Sequence, residues 1–124
     1  MDRKTVEKYI SEQYGVEPDF PWEGDTVSAV FRHIDNGKWF ALIMHISKAK
    51  LGMETDEPAD VMNLKIDDLM LHDMLVHEEG IFPSYHMNKQ HWITVLLDGT
   101  VEMDQISALI DMSYQATASK RRKR

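Results

Sequence analysis

The sequence predicts one α+β domain, a two-layer sandwich in which a mostly antiparallel sheet carries helices on one face. Apolar residues repeat with helical spacing near both ends of the chain, and segments rich in β-branched and aromatic residues lie between them. The pair Asn36-Gly37 between two such segments predicts an early hairpin, which argues against a doubly wound parallel sheet. The 124 residues are the length of a single domain, which we place at 1–119, with a basic tail over 120–124.

The first half of the chain predicts a helix, an extended connection and the hairpin. Residues 2–14 have the apolar spacing of an amphipathic helix, and Gly15 suits a left-handed position at its end. Two prolines within 16–22 predict an irregular, extended connection. The two strands of the hairpin and a polar loop are predicted over residues 26–34, 38–46 and 48–60.

The second half of the chain alternates strands with helices. Pro83 interrupts any long strand over 81–88, whereas clean alternation or a β-branched run marks the other strands. The predicted order is a strand at 61–66, a helix at 67–77, an uncertain segment at 81–88, a strand at 92–97 and a helix at 102–117.

The charge distribution excludes several classes of protein. The chain holds 14 basic and 21 acidic residues, a net charge of −7, and without the basic residues 120–124 the net charge is −12. A uniformly basic nucleic-acid coat is therefore excluded, and binding of this kind needs a local patch. No apolar run approaches the roughly 18 residues of a membrane span. The lack of cysteine excludes disulfides and thiolate metal sites.

Alternation along the strands predicts which side chains face away from the helices. Because Met62 and Leu64 belong to the core, Asn63 and Lys65 are expected on an open side of the sheet. In the hairpin the better core set is Phe40, Leu42 and Met44, which leaves Trp39, Ala41, Ile43 and His45 on the open side. The residues Ser28, Val30, Arg32, Trp92 and Thr94 are assigned to the same side.

Flat aromatic rings interleaved with cations are typical of surfaces that bind single-stranded nucleic acid. Stacked bases contribute about 1–3 kcal/mol each, and lysine and arginine hold the phosphates. The candidate nucleic-acid-binding residues are Arg32, Lys38, Trp39, Lys48, Lys50, Asn63, Lys65, Lys89 and Trp92. The alternative is that the tryptophans pack in the core and that the lysines only solubilise the surface.

The polar and aromatic segment after Pro83 offers a second candidate site. There Tyr85, His86, Asn88 and His91, together with Trp92, are expected to line a pocket for a small ligand or a protein partner. We assign no metal site, because the six histidines do not have the spacing of a metal-binding motif. No nucleophile motif or phosphate-binding glycine loop is present, so we expect no enzyme activity and no cofactor.

Recognisable motifs lie at 31–33, 36–41, 61–65, 83–92 and 97–100, followed by the final helix. In their order and spacing they resemble the MmcQ/YjbR family over roughly residues 5–117. The motif residues of the family map onto Arg32, Lys38, Trp39, Asn63, Lys65, Tyr85, His86, Asn88, Lys89, His91 and Trp92. The resemblance implies a frataxin-like (CyaY-like) fold and a DNA-binding role. It does not carry over the iron chemistry of frataxins, because the acids of residues 2–14 alternate with lysine and arginine.

Taken together, these patterns predict a cytoplasmic, non-enzymatic module that binds DNA or single-stranded nucleic acid, with no membrane association. We expect it to be a monomer. The small-ligand or protein-interaction pocket is the alternative. Metal handling in the manner of a frataxin is the third hypothesis.

Overall fold

The computed structural model describes residues 2–119, and the predicted basic tail at 120–124 lies outside the described residues. Residues 2–119 contain three α-helices: α1 (Arg3–Tyr14), α2 (Leu69–Leu75) and α3 (Met103–Thr117). The same residues contain five strands: β1 (Ala29–Arg32), β2 (Trp39–Ser47), β3 (Pro58–Lys65), β4 (Ile81–Pro83) and β5 (Trp92–Leu96). They form one sheet in the order β1-β2-β3-β5-β4, and every neighbouring pair is antiparallel. The predicted α+β class is confirmed.

Local sequence determines where α1 begins and ends. The Asp2 side chain accepts the backbone N–H of Thr5, which caps the first turn. Gly15 has φ +67°, and its N–H donates to the carbonyl of Ser11. Any other residue would adopt this left-handed conformation at a cost, so the helix ends where the sequence predicts.

The loop predicted over residues 48–60 is shorter in the structure. A 3-10 turn at Lys48–Leu51 follows β2 directly, and β3 begins already at Pro58. The backbone N–H of Lys48 donates to the carbonyl of Glu57, so the ladder between β2 and β3 continues past the end of β2.

The three helices pack against one face of the sheet, here the helix face. The main core joins Val6 and Ile10 of α1 and Ile106 and Ile110 of α3 to side chains of all five strands. The Ser113 hydroxyl, which is fully buried, donates to the carbonyl of Phe40 at 2.5 Å and accepts the N–H of Lys65 at 2.9 Å. This one side chain therefore ties α3 to two strands.

A bulge in the hairpin changes which side chains of β2 face the helices. Phe31 pairs with Ala41 but Arg32 pairs with Trp39, so Phe40 is an extra residue in β2. As a result Phe40 and Ala41 both belong to the helix-face core, together with Ile43. The prediction that Ala41 and Ile43 face an open side is wrong.

Candidate functional site

The face of the sheet opposite the helices, here the outer face, is covered by a second apolar cluster. Its buried members are Val30, Leu42, Met44, Ala59, Val61 and Leu96. Leu42 and Met44 therefore belong to this cluster and not to the helix-face core, because the bulge shifts the alternation. Partly buried side chains from the connections pack over them, namely Trp22, Trp39, Ile46, Leu51, Met53, Phe82, Tyr85 and Met87.

Two of the predicted nucleic-acid-binding residues are consequently buried. Asn63 and Trp92 lie on the predicted side of the sheet, but their exposed fractions are 0% and 9%. The expectation of an open face at these positions is wrong, since alternation distinguishes the two sides of a strand without showing what covers each side. Trp39 is partly exposed and packs edge-on against Trp22, with ring centroids 5.7 Å apart.

The predicted basic residues divide between the two ends of the sheet. Lys38 precedes β2 and Lys48 follows it, so a nine-residue strand separates them by about 30 Å. Lys65 ends β3 beside the start of β2, at the same end of the sheet as Lys38, whereas Lys50 lies near Lys48. They do not form a single basic patch.

Ion pairs and hydrogen bonds already engage most of these cations. Arg32 pairs with Asp19, and Lys65 Nζ lies 3.8 Å from Asp67. Lys48 Nζ lies 3.0 Å from Glu57 and 3.8 Å from Asp98. Lys89 Nζ donates to the carbonyl of Ser84 at 2.8 Å, while Lys38 and Lys50 are exposed. A phosphate at the paired cations would have to compete with a carboxylate.

The residues of the alternative pocket also separate. Tyr85 and His86 line a cavity of about 300 Å³ on the outer face. Asn88 instead holds the next turn, because its side-chain oxygen accepts the N–H groups of Gln90 and His91. His91 continues the β5 register opposite Ile66, and its Nδ1 is buried with no partner in the described part of the chain. Trp92 packs within the fold.

The cavity combines aromatic, apolar and polar side chains. It is lined by Trp22, Asp25, Ser28, Met44, His45, Ile46, Tyr85 and His86. The His86 ring lies 6.3 Å from that of Trp22 and 6.2 Å from that of Tyr85, centroid to centroid. Aromatic faces beside a few polar groups are typical of sites that bind small molecules.

A buried polar ring holds Tyr85 in place beneath the cavity. Asn63 Nδ2 donates to the carbonyl of Tyr85 at 2.8 Å, and the N–H of Tyr85 donates to Thr94 Oγ1 at 3.0 Å. The Thr94 hydroxyl closes the ring by donating to Asn63 Oδ1 at 2.5 Å. Both polar side chains are fully buried. The ring therefore fixes the backbone of Tyr85 on both sides.

Next to this fixed residue, His86 has an unusual backbone. Its φ is +83°, and all other described residues with positive φ are glycines. A side chain in this region costs about 1–2 kcal/mol relative to glycine. The hydrogen bonds of the polar ring fix the preceding residue and so stabilise this conformation. Backbone strain of this kind is found at functional sites more often than elsewhere. Neither ring nitrogen of His86 has a hydrogen-bond partner within residues 2–119.

Two carboxylates lie at or near the cavity. Asp25 accepts the Ser28 backbone N–H, the Ser28 side chain and the Val27 N–H, which lower its pKa below the usual value and keep it ionised. His45 Nδ1 lies 2.8 Å from Asp60 Oδ1, and these two residues are partners across β2 and β3.

Sequence reasoning did not assign Trp22, Asp25 or Ser28 to a site. Trp22 follows two prolines, which predict an extended connection packed against the rest of the fold. They do not predict the cavity that Trp22 lines. Asp25 binds N–H groups two and three residues ahead, a turn that its sequence position permits. No three His, Asp or Glu side chains of residues 2–119 are placed to hold a metal ion together. Within the same residues no helix has the length and apolarity needed to cross a membrane.

Comparison with known proteins places the chain in a family. The family model described as YjbR matches residues 11–116. The chain belongs to the YjbR family. It is 38% identical to YyaQ of Bacillus subtilis (strain 168), over 94% of this chain and 98% of that protein. YjbR of Escherichia coli (strain K12) is 37% identical over 59 residues, which are 48% of this chain and 50% of that protein.

Solved structures share the fold of this YjbR-family chain. A crystal structure of a Pseudomonas syringae protein matches with a TM-score of 0.91 and 45% identity, over 95% of this chain and 100% of that one. A Deinococcus radiodurans protein matches with a TM-score of 0.70 and 25% identity, over 95% of this chain and 79% of that one. The predicted resemblance to the MmcQ/YjbR family is confirmed.

Proposed function

We propose that this protein is a small-ligand binding module, and that the ligand occupies the cavity beside Trp22, Tyr85 and His86. The observation that carries the proposal is the buried ring of Asn63, Thr94 and the Tyr85 backbone. In this ring two fully buried polar side chains bond to the backbone of Tyr85, the residue before His86. Such a network stabilises one local geometry, which is what a preformed binding site requires.

The lining of the cavity indicates the chemistry of the ligand. Trp22, Tyr85 and His86 offer aromatic surfaces to a flat ring. The ionised Asp25 carboxylate accepts hydrogen bonds, so the ring should carry N–H or O–H donors. A volume of about 300 Å³ is at the small end of ligand sites, which favours one or two fused heteroaromatic rings.

The test is a titration of isotope-labelled protein with adenine, guanine, cytosine and indole, followed by NMR. We expect saturable shifts at the Trp22 indole and the Tyr85 and His86 amides from at least one base. The Trp92 indole, packed within the fold, should shift less. If none of the four compounds binds, or if shifts spread evenly over the three tryptophans, the proposal fails.

His86→Gly is a variant that separates binding from folding. Glycine adopts φ +83° without strain, so this change should raise stability by about 1 kcal/mol while removing the ring. We expect ligand affinity to fall about tenfold or more. The matched control is His77→Gly, at an exposed histidine that ends the α2 region on the other side of the sheet. Unchanged affinity in His86→Gly would contradict the proposal.

Nucleic-acid binding is a second candidate, favoured by the cations that share one end of the sheet. The exposed Lys38 directly precedes β2, and the exposed Lys89 comes three residues before Trp92, which starts β5 opposite Lys65. Fluorescence anisotropy with short single- and double-stranded oligonucleotides across a salt series tests this function. Binding that weakens in a Lys38→Glu, Lys89→Glu double variant but not in Lys50→Glu supports it. The absence of binding at about 50 mM salt removes it. The frataxin-like classification, the cytoplasmic location and the monomeric state stay predictions.

A further inference from the structure

A groove between α2 and α3 lies on the helix side of the molecule, opposite the cavity around Tyr85. Its volume is about 460 Å³. Side chains of both helices and of the connection between β3 and α2 line it, and apolar and polar groups are mixed among them. The lining residues are Ile66, Asp67, Asp68, Leu71, Asp111, Met112, Gln115 and Ala116.

Exposed methionines lie on both helices that border this groove. Met112 is 42% exposed at the groove itself, and Met70 and Met74 of α2 are 78% and 64% exposed. Met70 and Met74 are four residues apart and share one side of α2, next to Leu71. Methionine packs adaptably against varied apolar partners, and exposed apolar patches of this kind mark interaction surfaces.

The polar part of the groove is acidic. Asp68 accepts the N–H of Leu71 and so caps α2, whereas Asp111 accepts the hydroxyls of Tyr9 and Tyr14. Among the described salt bridges these carboxylates have one cationic partner, Lys65, whose Nζ lies 3.8 Å from Asp67. Three carboxylates against one lysine leave an excess of negative charge along the groove.

We propose that this groove binds an amphipathic helix of a partner protein, with apolar side chains at i, i+3/i+4 and i+7 and lysine or arginine beside them. Apolar anchors would enter the space between Leu71 and Met112 and pack against Met70 and Met74. The flanking cations would lie beside Asp67 and Asp68. A helix with an apolar stripe is the usual occupant of such a groove, and the charge of the groove selects a basic one.

The test uses a synthetic helical peptide with leucines at that spacing and lysines elsewhere. The control is a peptide of identical composition in which the leucines are distributed around the whole helix. Fluorescence anisotropy of the labelled peptides should show saturable binding of the amphipathic peptide only. Equal binding of the two peptides would overturn the proposal, because charge alone would then explain it.

Variants locate the binding on the protein. Met70→Gln combined with Met112→Gln should weaken binding of the peptide about tenfold. Both side chains are exposed, so the double variant should remain folded. The matched control is Leu69→Gln, which is 59% exposed on the same helix but about 160° around it from Leu71. Asp67→Asn should weaken binding and reduce its salt dependence. Equal losses in Leu69→Gln and the methionine variant would refute the assignment.

Two other occupants of the groove have distinct signatures. If the basic residues 120–124 of the same chain occupied it, a variant ending at Ser119 would bind the peptide more tightly. If a second copy occupied it, the protein would associate with rising concentration in analytical ultracentrifugation, and Met70→Gln would reverse this. Either result overturns the proposal of a basic partner helix.

Discussion

The hydroxyl of Thr94 offers the sharpest test of the polar ring that supports His86. Thr94→Val keeps the branched shape of the side chain and replaces the hydroxyl with a methyl group, which neither donates nor accepts a hydrogen bond. This oxygen accepts the N–H of Tyr85 and donates to Asn63, so the change leaves two groups without a partner. All of this takes place at a residue with no exposed surface.

The expected loss of stability follows from these two groups. A buried polar group without a partner costs about 1–3 kcal/mol, so the two groups together should lower the free energy of unfolding of Thr94→Val by about 2–6 kcal/mol. For a domain of this length that corresponds to a fall in Tm of roughly 8–24 °C. No cavity contributes to the loss, because valine and threonine have nearly the same volume.

Urea unfolding followed by circular dichroism measures this loss. The midpoint should fall while the slope stays unchanged, since the surface exposed on unfolding is the same. Thr26→Val is the matched control, an exposed threonine whose replacement should stay within about 0.5 kcal/mol. A Thr94→Val protein as stable as the Thr26→Val protein would refute the reasoning about the ring.

Three further predictions follow from local geometry. Gly80→Ala should destabilise the fold by about 2 kcal/mol or more beyond the loss in Gly24→Ala. Both glycines have positive φ, but of the two only a Cβ at Gly80 would meet another side chain, that of Val101 at 2.8 Å. A comparison of the urea midpoints of the two variants checks this. Ser113→Ala should cost about 2–3 kcal/mol in the same assay, since it removes both bonds from α3 to the strands. The lowered pKa of Asp25 means that its ionised form stabilises the fold above the ordinary carboxyl pKa. The stability difference between the natural protein and Asp25→Asn should therefore disappear as pH falls through the acid range, and a difference that persists unchanged would contradict this.

The elements of the fold were largely predictable from sequence because their signals are local. Gly15 ends α1 through its own backbone freedom, and in the hairpin connection Gly37 adopts φ +72° while Asn36 Oδ1 accepts the N–H of Lys38. The family membership also follows from motifs that can be read in order along the chain.

The candidate site was less predictable, because it depends on pairing and on covering segments. One extra residue at Phe40 shifted the alternation of β2, and a bulge has no clear sign in the hairpin sequence. The sequence predicted the correct side for Asn63, but its role as the buried partner of Tyr85 depends on a loop 22 residues further along the chain.

The sequence by itself determined the helix and strand segments, the family and the acidic character of the body, because these follow from residue types and short-range spacing. Only the tertiary structure decided that the outer face is a second apolar cluster and that the basic residues divide between two ends of the sheet. It also decided that His86 stands in a left-handed conformation beside a cavity. These features arise from contacts between segments that are distant in the sequence. The free energy gained by burying those segments against the sheet outweighs the local conformational preference of each segment.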